Sequence, residues 1–184
     1  MVEQSLFYTG TRFDSSVRNQ TNIMTRINLV HVQDLADQHL FAEWREIKMI
    51  PAKLKKLQET KLGWEIMRDV PSTYTLNTGH VRFFYDKMAF LHDRFINLTD
   101  ELHKRDFNIA YHDPASIFIE GIVPEMQNPH WEPTIPEIAI NVERIVQRLN
   151  EKPEWYRYYG DVVPPIWFID RYNQQLTVDK LIIV

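Results

Sequence analysis

"HVRFFYDKMAFLHDRFINLTDELHKRDF", residues 80–107, decides the fold class. Phe84, Met88, Leu91, Phe95, Leu98 and Leu102 recur at steps of three and four, so the stretch predicts one long amphipathic helix. Its apolar stripe is expected to form the spine of the core, with no functional claim attached. A chain organised around such a helix reads as all-α, a single helical domain with an irregular N-terminal arm and a C-terminal tail.

The flanking segments repeat the pattern. In "DLADQHLFAEWREIK", 34–48, Leu35, Ala36, Leu40, Trp44 and Ile47 share one helical face and Asp34 is placed to cap. His39, Glu43 and Glu46 fall together on another face. A basic helix is expected after Pro51 through "AKLKKLQETK". "RDVPSTYTLNTGH" reads as a loop, and the Pro-rich segment 113–136 as irregular. "TIPEIAINVERIVQRLNEK" predicts a further helix with Thr134 near its cap and Pro136 in its first turn. Arg144, Arg148 and Lys152 stand four apart along it, followed by the aromatic knot "PEWYRYYG". The last 24 residues, ending "LTVDKLIIV", suit a short strand or a packing tail.

Composition narrows the chemistry. The 184 residues, 44% apolar and 25% charged, fit one globular domain with a core of its own. The absence of Cys excludes disulfides, thiolate metal sites and cysteine nucleophiles. Apolar runs such as "LIIV" fall far short of the roughly 18–20 residues of a membrane span, and "MVEQSLFYTGTRFDSS" lacks the features of a signal peptide. Residues 1–23 are polar, aperiodic and balanced in charge, and read as a flexible arm or a misassigned start.

The net charge of −4 hides a division: residues 86–137 carry −6, whereas 24–85 carry +2 and 138–160 carry +1. A polyanion would meet the two ends of this region and not its middle, although a mixed solvated surface would show the same pattern.

"MTRINL", "LADQHL", "AEWRE", "GHVRFFYDK", "FNI" and "WYRYYG" occur in this order over residues 24–160. With this spacing the chain resembles the pyrimidine-dimer DNA glycosylase and apurinic-site lyase family of phage-type endonuclease V. The resemblance implies an all-helical domain over 24–160, an extension of unknown role over 161–184, and no cofactor or metal. It implies that the α-amine of Thr25, freed by removal of Met24, is the nucleophile and that Glu46 is the catalytic carboxylate. A terminal amine suits the task, because its ordinary pKa of about 7.7–8.0 leaves more of it neutral than a lysine at about 10.4.

Arg26 and Arg45 fall where the resemblance approaches the lesion and its phosphates, His39 within its active-site segment, and Lys56, Arg144 and Arg148 at its basic backbone contacts. Trp155, Tyr156, Arg157 and Tyr158 match its aromatic DNA-binding tail. The implied partner is duplex DNA containing pyrimidine dimers or abasic sites, met by a monomer in the cytoplasm, at the nucleoid, with no membrane. Met49 stands where a basic residue is expected, which leaves Lys48 as the available substitute. The 23 residues before Met24 would hold the Thr25 nitrogen in an amide, which cannot form an imine.

Each residue also has a plainer role. Thr25 could be a surface or capping threonine, and Glu46 a paired charge on a wet helix face. The two arginines could be the solvated side of a helix, and the aromatics core closure. Two other functions stay open: a damage-binding protein without catalysis, and a metal-dependent hydrolase on His39, Glu43 and Glu46, for which one helix offers a poor ligand set.

Overall fold

The computed structural model describes residues 27–76 and 79–182. The expected arm over 1–23, together with Thr25 and Arg26, lies outside them. The irregular segment 27–31 leads through a 3-10 turn (Val32–Asp34) into α1 (Asp37–Glu46), α2 (Met49–Leu57) and α3 (Lys61–Arg68). After a loop come α4 (His80–Phe83), α5 (Met88–Lys104), α6 (Pro114–Phe118), a 3-10 turn (Pro124–Met126) and α7 (Ile135–Glu151). A small antiparallel hairpin, β1 (Arg157–Tyr158) and β2 (Asp161–Val162), precedes α8 (Pro165–Ile182). The fold is thus mostly helical, as the sequence predicts. No helix among the described residues is long and apolar enough to cross a membrane.

α5 is the spine. The whole stripe from Phe84 to Leu102 is buried, in one core cluster with Leu35, Leu40 and Ile47 around α1 and with Ile138, Ile145 and Leu149 of α7. The single helix expected over 80–107 is, however, broken: α4 stops at Phe83 and α5 starts at Met88. Phe83, Phe84 and Tyr85 are all buried, and three consecutive residues on a helix span too wide an arc for one stripe. The turn solves this by letting its backbone find partners elsewhere. Asn128 donates its N–H to Asp86 O at 3.1 Å, Lys87 bridges to Gln127, and Trp131 packs edge-on against Phe83, Phe84 and Phe90.

Other boundaries differ for local reasons. α1 starts at Asp37, not Asp34, because Leu35 and Ala36 are extended. Asp34 sits in the preceding 3-10 turn and receives Arg171 instead of capping. α2 starts two residues before Pro51 and ends at Leu57. There Gln58 turns away from the helix to hold Gly121 O and Val123 N–H, and Thr60 caps α3 through Gly63 N–H. Only glycine fits at 63, since a Cβ would lie 1.9 Å from the carbonyl oxygen of Leu57. Thr134 and Glu137 form the capping box of α7 around Pro136, in line with the sequence.

The C-terminal stretch expected as a strand or tail is the helix α8, which packs on α7. Phe168, Tyr172 and Gln175 recur at helical steps and are buried, so the first half of α8 presents one packed face.

A pinned chain entry beside the first helix: candidate active site

Segment 27–31 passes through the interior, and side chains from distant elements hold its backbone. Ile27 is buried, and its N–H points at Nε2 of His80 at 3.4 Å. The other ring nitrogen, Nδ1, is 2.9 Å from Thr75 O, an acceptor, so Nδ1 carries the proton and Nε2 accepts. Burial, opposed by the Thr75 bond, lowers the His80 pKa from the ordinary histidine value, which favours the neutral ring. Leu29 N–H donates to Asn141 Oδ1 at 2.9 Å on α7, and His31 N–H to Gln175 Oε1 at 3.1 Å on α8.

Two further fixings, through Asn28 and Arg94, meet at Glu43 of α1. Its side chain is fully buried and accepts from Arg94 Nε (2.8 Å) and Nη2 (3.1 Å) and from Asn28 Nδ2 (2.7 Å). Arg94 also donates through Nη1 to Val30 O at 2.6 Å. Of the predicted polar face of α1, Glu43 is therefore a core ion pair, and His39 is buried as well. The reason is tertiary: α5 supplies a cation at the depth where Glu43 enters. Glu46, one turn further on, is half-buried.

The N-terminal turn of α1 docks the aromatic tail. Gln38 donates from Nε2 to Trp155 O (2.8 Å) and accepts the Arg157 N–H (3.0 Å). The Asp37 carboxylate accepts the Gly160 N–H at 2.8 Å, the Tyr159 N–H at 3.2 Å and Arg105 Nη1 at 2.9 Å. "LADQHL" and "WYRYYG" are thus halves of one contact. Tyr156 is turned inward, its ring 4.6 Å from that of His39, and Tyr158 is half-buried against Trp167 with Arg105 and Arg171 over its ring. Trp155, at 53% exposure, and Arg157 face solvent.

On the other flank of α1, Lys48 lies with Nζ 3.8 Å from the centre of the Trp44 ring. Burial and then the charge of Arg45 lower its pKa from the ordinary lysine value. His112 packs against the same ring at 5.6 Å, its pKa lowered by desolvation and by Lys48. Arg45 is exposed beside Phe41, and Met49 is exposed. Lys48, the substitute considered for a basic residue at 49, is thus engaged with Trp44.

The remaining basic residues lie apart from α1 in sequence. Lys56 is exposed on α2; Arg144 and Arg148 are half-exposed on α7, and Arg148 pairs with Glu151 at 2.9 Å. Lys152, expected to extend their row, follows the end of α7 and approaches Trp155.

Sequence reasoning missed Asn28, Gln38, Asp37, His80, Arg94, Asn141 and Gln175 as the groups that hold the chain entry and the tail. Asn28, His80, Asp37 and Gln38 do lie inside the quoted blocks, so membership in a block was the available signal. The others have only tertiary partners.

The family model described as pyrimidine dimer DNA glycosylase matches residues 24–114, which include the pinned segment, all of α1 and all of α5. Over those residues the chain belongs to the pyrimidine dimer DNA glycosylase family.

Proposed function

We propose that this chain excises cyclobutane pyrimidine dimers from duplex DNA through a Schiff base at the Thr25 α-amine and then nicks the abasic strand by β-elimination. The amine nitrogen attacks C1′ of the deoxyribose, the glycosidic bond breaks toward the base, and the opened sugar is held as an imine. Loss of a C2′ proton expels the 3′ phosphate, and water releases the unsaturated sugar and restores the amine. Glu46 is the carboxylate that steadies the cationic sugar and moves these protons.

One observation carries the reading: the family match opens at Met24, which supports a chain that starts there and, with that Met removed, begins at Thr25. The bond from Asn28 to Glu43 supports the role of Glu46. It brings the chain, three residues after Thr25, against the helix that carries Glu46 one turn beyond Glu43. Arg26, Arg45, Lys56, Arg144, Arg148, Trp155 and Arg157 are proposed to hold the distorted duplex, with steeply salt-dependent binding. The active form is proposed to be a monomer working on DNA in the cytoplasm, on abasic sites as well as dimers.

The test is borohydride trapping on a duplex with a single abasic site. Protein that begins at Met24, with Met removal confirmed by mass, is compared with the full 184-residue chain. A covalent adduct with the shorter form alone supports the mechanism and marks the first 23 residues as a mask or a misplaced start. If the shorter form gives no adduct, the mechanism fails, and retained lesion binding would establish a non-catalytic damage binder.

A further inference from the structure

Four of the fixings hold the backbone of segment 27–31, and they differ in distance along the chain from Thr25. The Asn141, Arg94 and Gln175 bonds act at Leu29, Val30 and His31. The bond to His80 acts at the Ile27 N–H, the earliest described backbone group. A chain spans at most about 3.3–3.6 Å per residue, so two residues of chain limit the reach of an amine at position 25 to roughly 7 Å from that pinned amide. Each further residue of unpinned chain would add two soft torsions between the anchor and the amine.

We infer that His80 is a positioning residue for the glycosylase reaction, fixing through the Ile27 N–H the point from which the Thr25 amine reaches the sugar. The inference rests on the Schiff-base reading above. His80 suits the task because its ring is fixed from both ends, Nδ1 on Thr75 O and Nε2 on Ile27 N–H, and enclosed by Tyr74 and Phe84 at ring separations of 5.4 and 5.3 Å. It is only 4% exposed, so water does not readily take its place as acceptor. It enters from the loop and short helix after α3, independently of α1, and so fixes the chain relative to the rest of the molecule.

A His80 that merely satisfies a buried amide would matter for stability alone; a positioning His80 matters for the rate of imine formation. Two substitutions separate these roles. His80→Gln can keep an acceptor near the Nε2 position, whereas His80→Asn can keep a donor near Nδ1 for Thr75 O and lacks the acceptor for Ile27. Each gives up one of the two bonds, so both should lower stability alike.

The measurement is the single-turnover trapping rate by borohydride on an abasic duplex at saturating protein, using chains that begin at Thr25, with duplex affinity and unfolding midpoint measured in parallel. Misplacement of a reacting group by an ångström costs on the order of 10²-fold. His80→Asn is expected to lose about that much in trapping rate with unchanged duplex affinity, and His80→Gln to recover most of it. A third variant inserts one glycine between Arg26 and Ile27. It leaves every described contact intact, so it should fold normally and still trap slowly, because the amine no longer starts from the same distance.

Equal trapping by His80→Asn and wild type overturns the inference, as does equal loss in the Asn and Gln variants, or full activity in the insertion variant. In each of these cases the Schiff-base reading stands. If the unsubstituted Thr25 chain itself fails to trap, that reading falls and the inference with it. Should His80→Asn not fold, His80→Ala, which also lacks the acceptor, takes its place against His80→Gln, because the insertion variant keeps the His80 bond and tests only the reach from Ile27.

Discussion

Breaking the Glu43–Arg94 pair should be far more damaging than removing it whole. Glu43 is fully buried and the Arg94 side chain is 8% exposed, so the small values measured for surface pairs do not apply. Glu43→Leu leaves Arg94 with a buried charge and only the Val30 carbonyl as acceptor among its three described bonds. An uncompensated buried charge costs about 3–5 kcal/mol. The Asn28 amide loses its acceptor as well, for about 1–3 kcal/mol more.

The sum, roughly 4–8 kcal/mol, is a large share of the about 5–15 kcal/mol that a domain possesses. Arg94→Met is damaging for the mirror reason, since it strands the Glu43 carboxylate and frees Val30 O. In the double variant no charge remains, and the cost falls to the two orphaned groups, Asn28 Nδ2 and Val30 O, at about 1–3 kcal/mol each. Urea unfolding of the four proteins closes a double-mutant cycle, and the expected coupling is several kcal/mol. Additivity to within about 0.5 kcal/mol would refute the claim that these two residues form one buried unit.

Glu46→Gln, in a chain that begins at Thr25, should slow trapping on abasic DNA by about 10²–10⁴-fold and leave duplex binding intact; an unchanged rate would remove Glu46 from the chemistry. Stability should fall in mildly acidic solution because of His80. Its folded pKa lies below the ordinary 6.5, so near and below that pH the unfolded chain binds the extra proton more readily. The His80 contribution is therefore complete above about 6.5 and is lost as pH falls toward the folded pKa. Unfolding midpoints of wild type and His80→Gln across that interval should converge on acidification, and parallel curves would exclude this source. Phe168→Ala should cost about 3–5 kcal/mol, since its ring is fully buried where α8 meets the domain. At about 2–4 °C per kcal/mol the melting temperature would drop by roughly 6–20 °C. A negligible drop would mean that α8 is an appendage.

The sequence by itself determined the helical class, because the stripe from Phe84 to Leu102 and the capping pattern of Thr134, Pro136 and Glu137 are local signals. The ordered blocks likewise identified the family, since a block of adjacent residues can be read without knowing what it touches. The hydrophobic pattern could not say that the expected helix over 80–107 breaks between Phe83 and Met88, since the partners that let it break, Gln127, Asn128 and Trp131, arrive from a distant loop. Nor could it distinguish Glu43 from Glu46, two glutamates on one face of α1. The first meets Arg94 across 51 residues and becomes core, whereas the second remains half-buried. Asn141 and Gln175 were invisible as anchors of segment 27–31 for the same reason. A polar side chain's role is set by the partner that satisfies it when water is excluded, and only tertiary structure brings that partner within hydrogen-bonding distance.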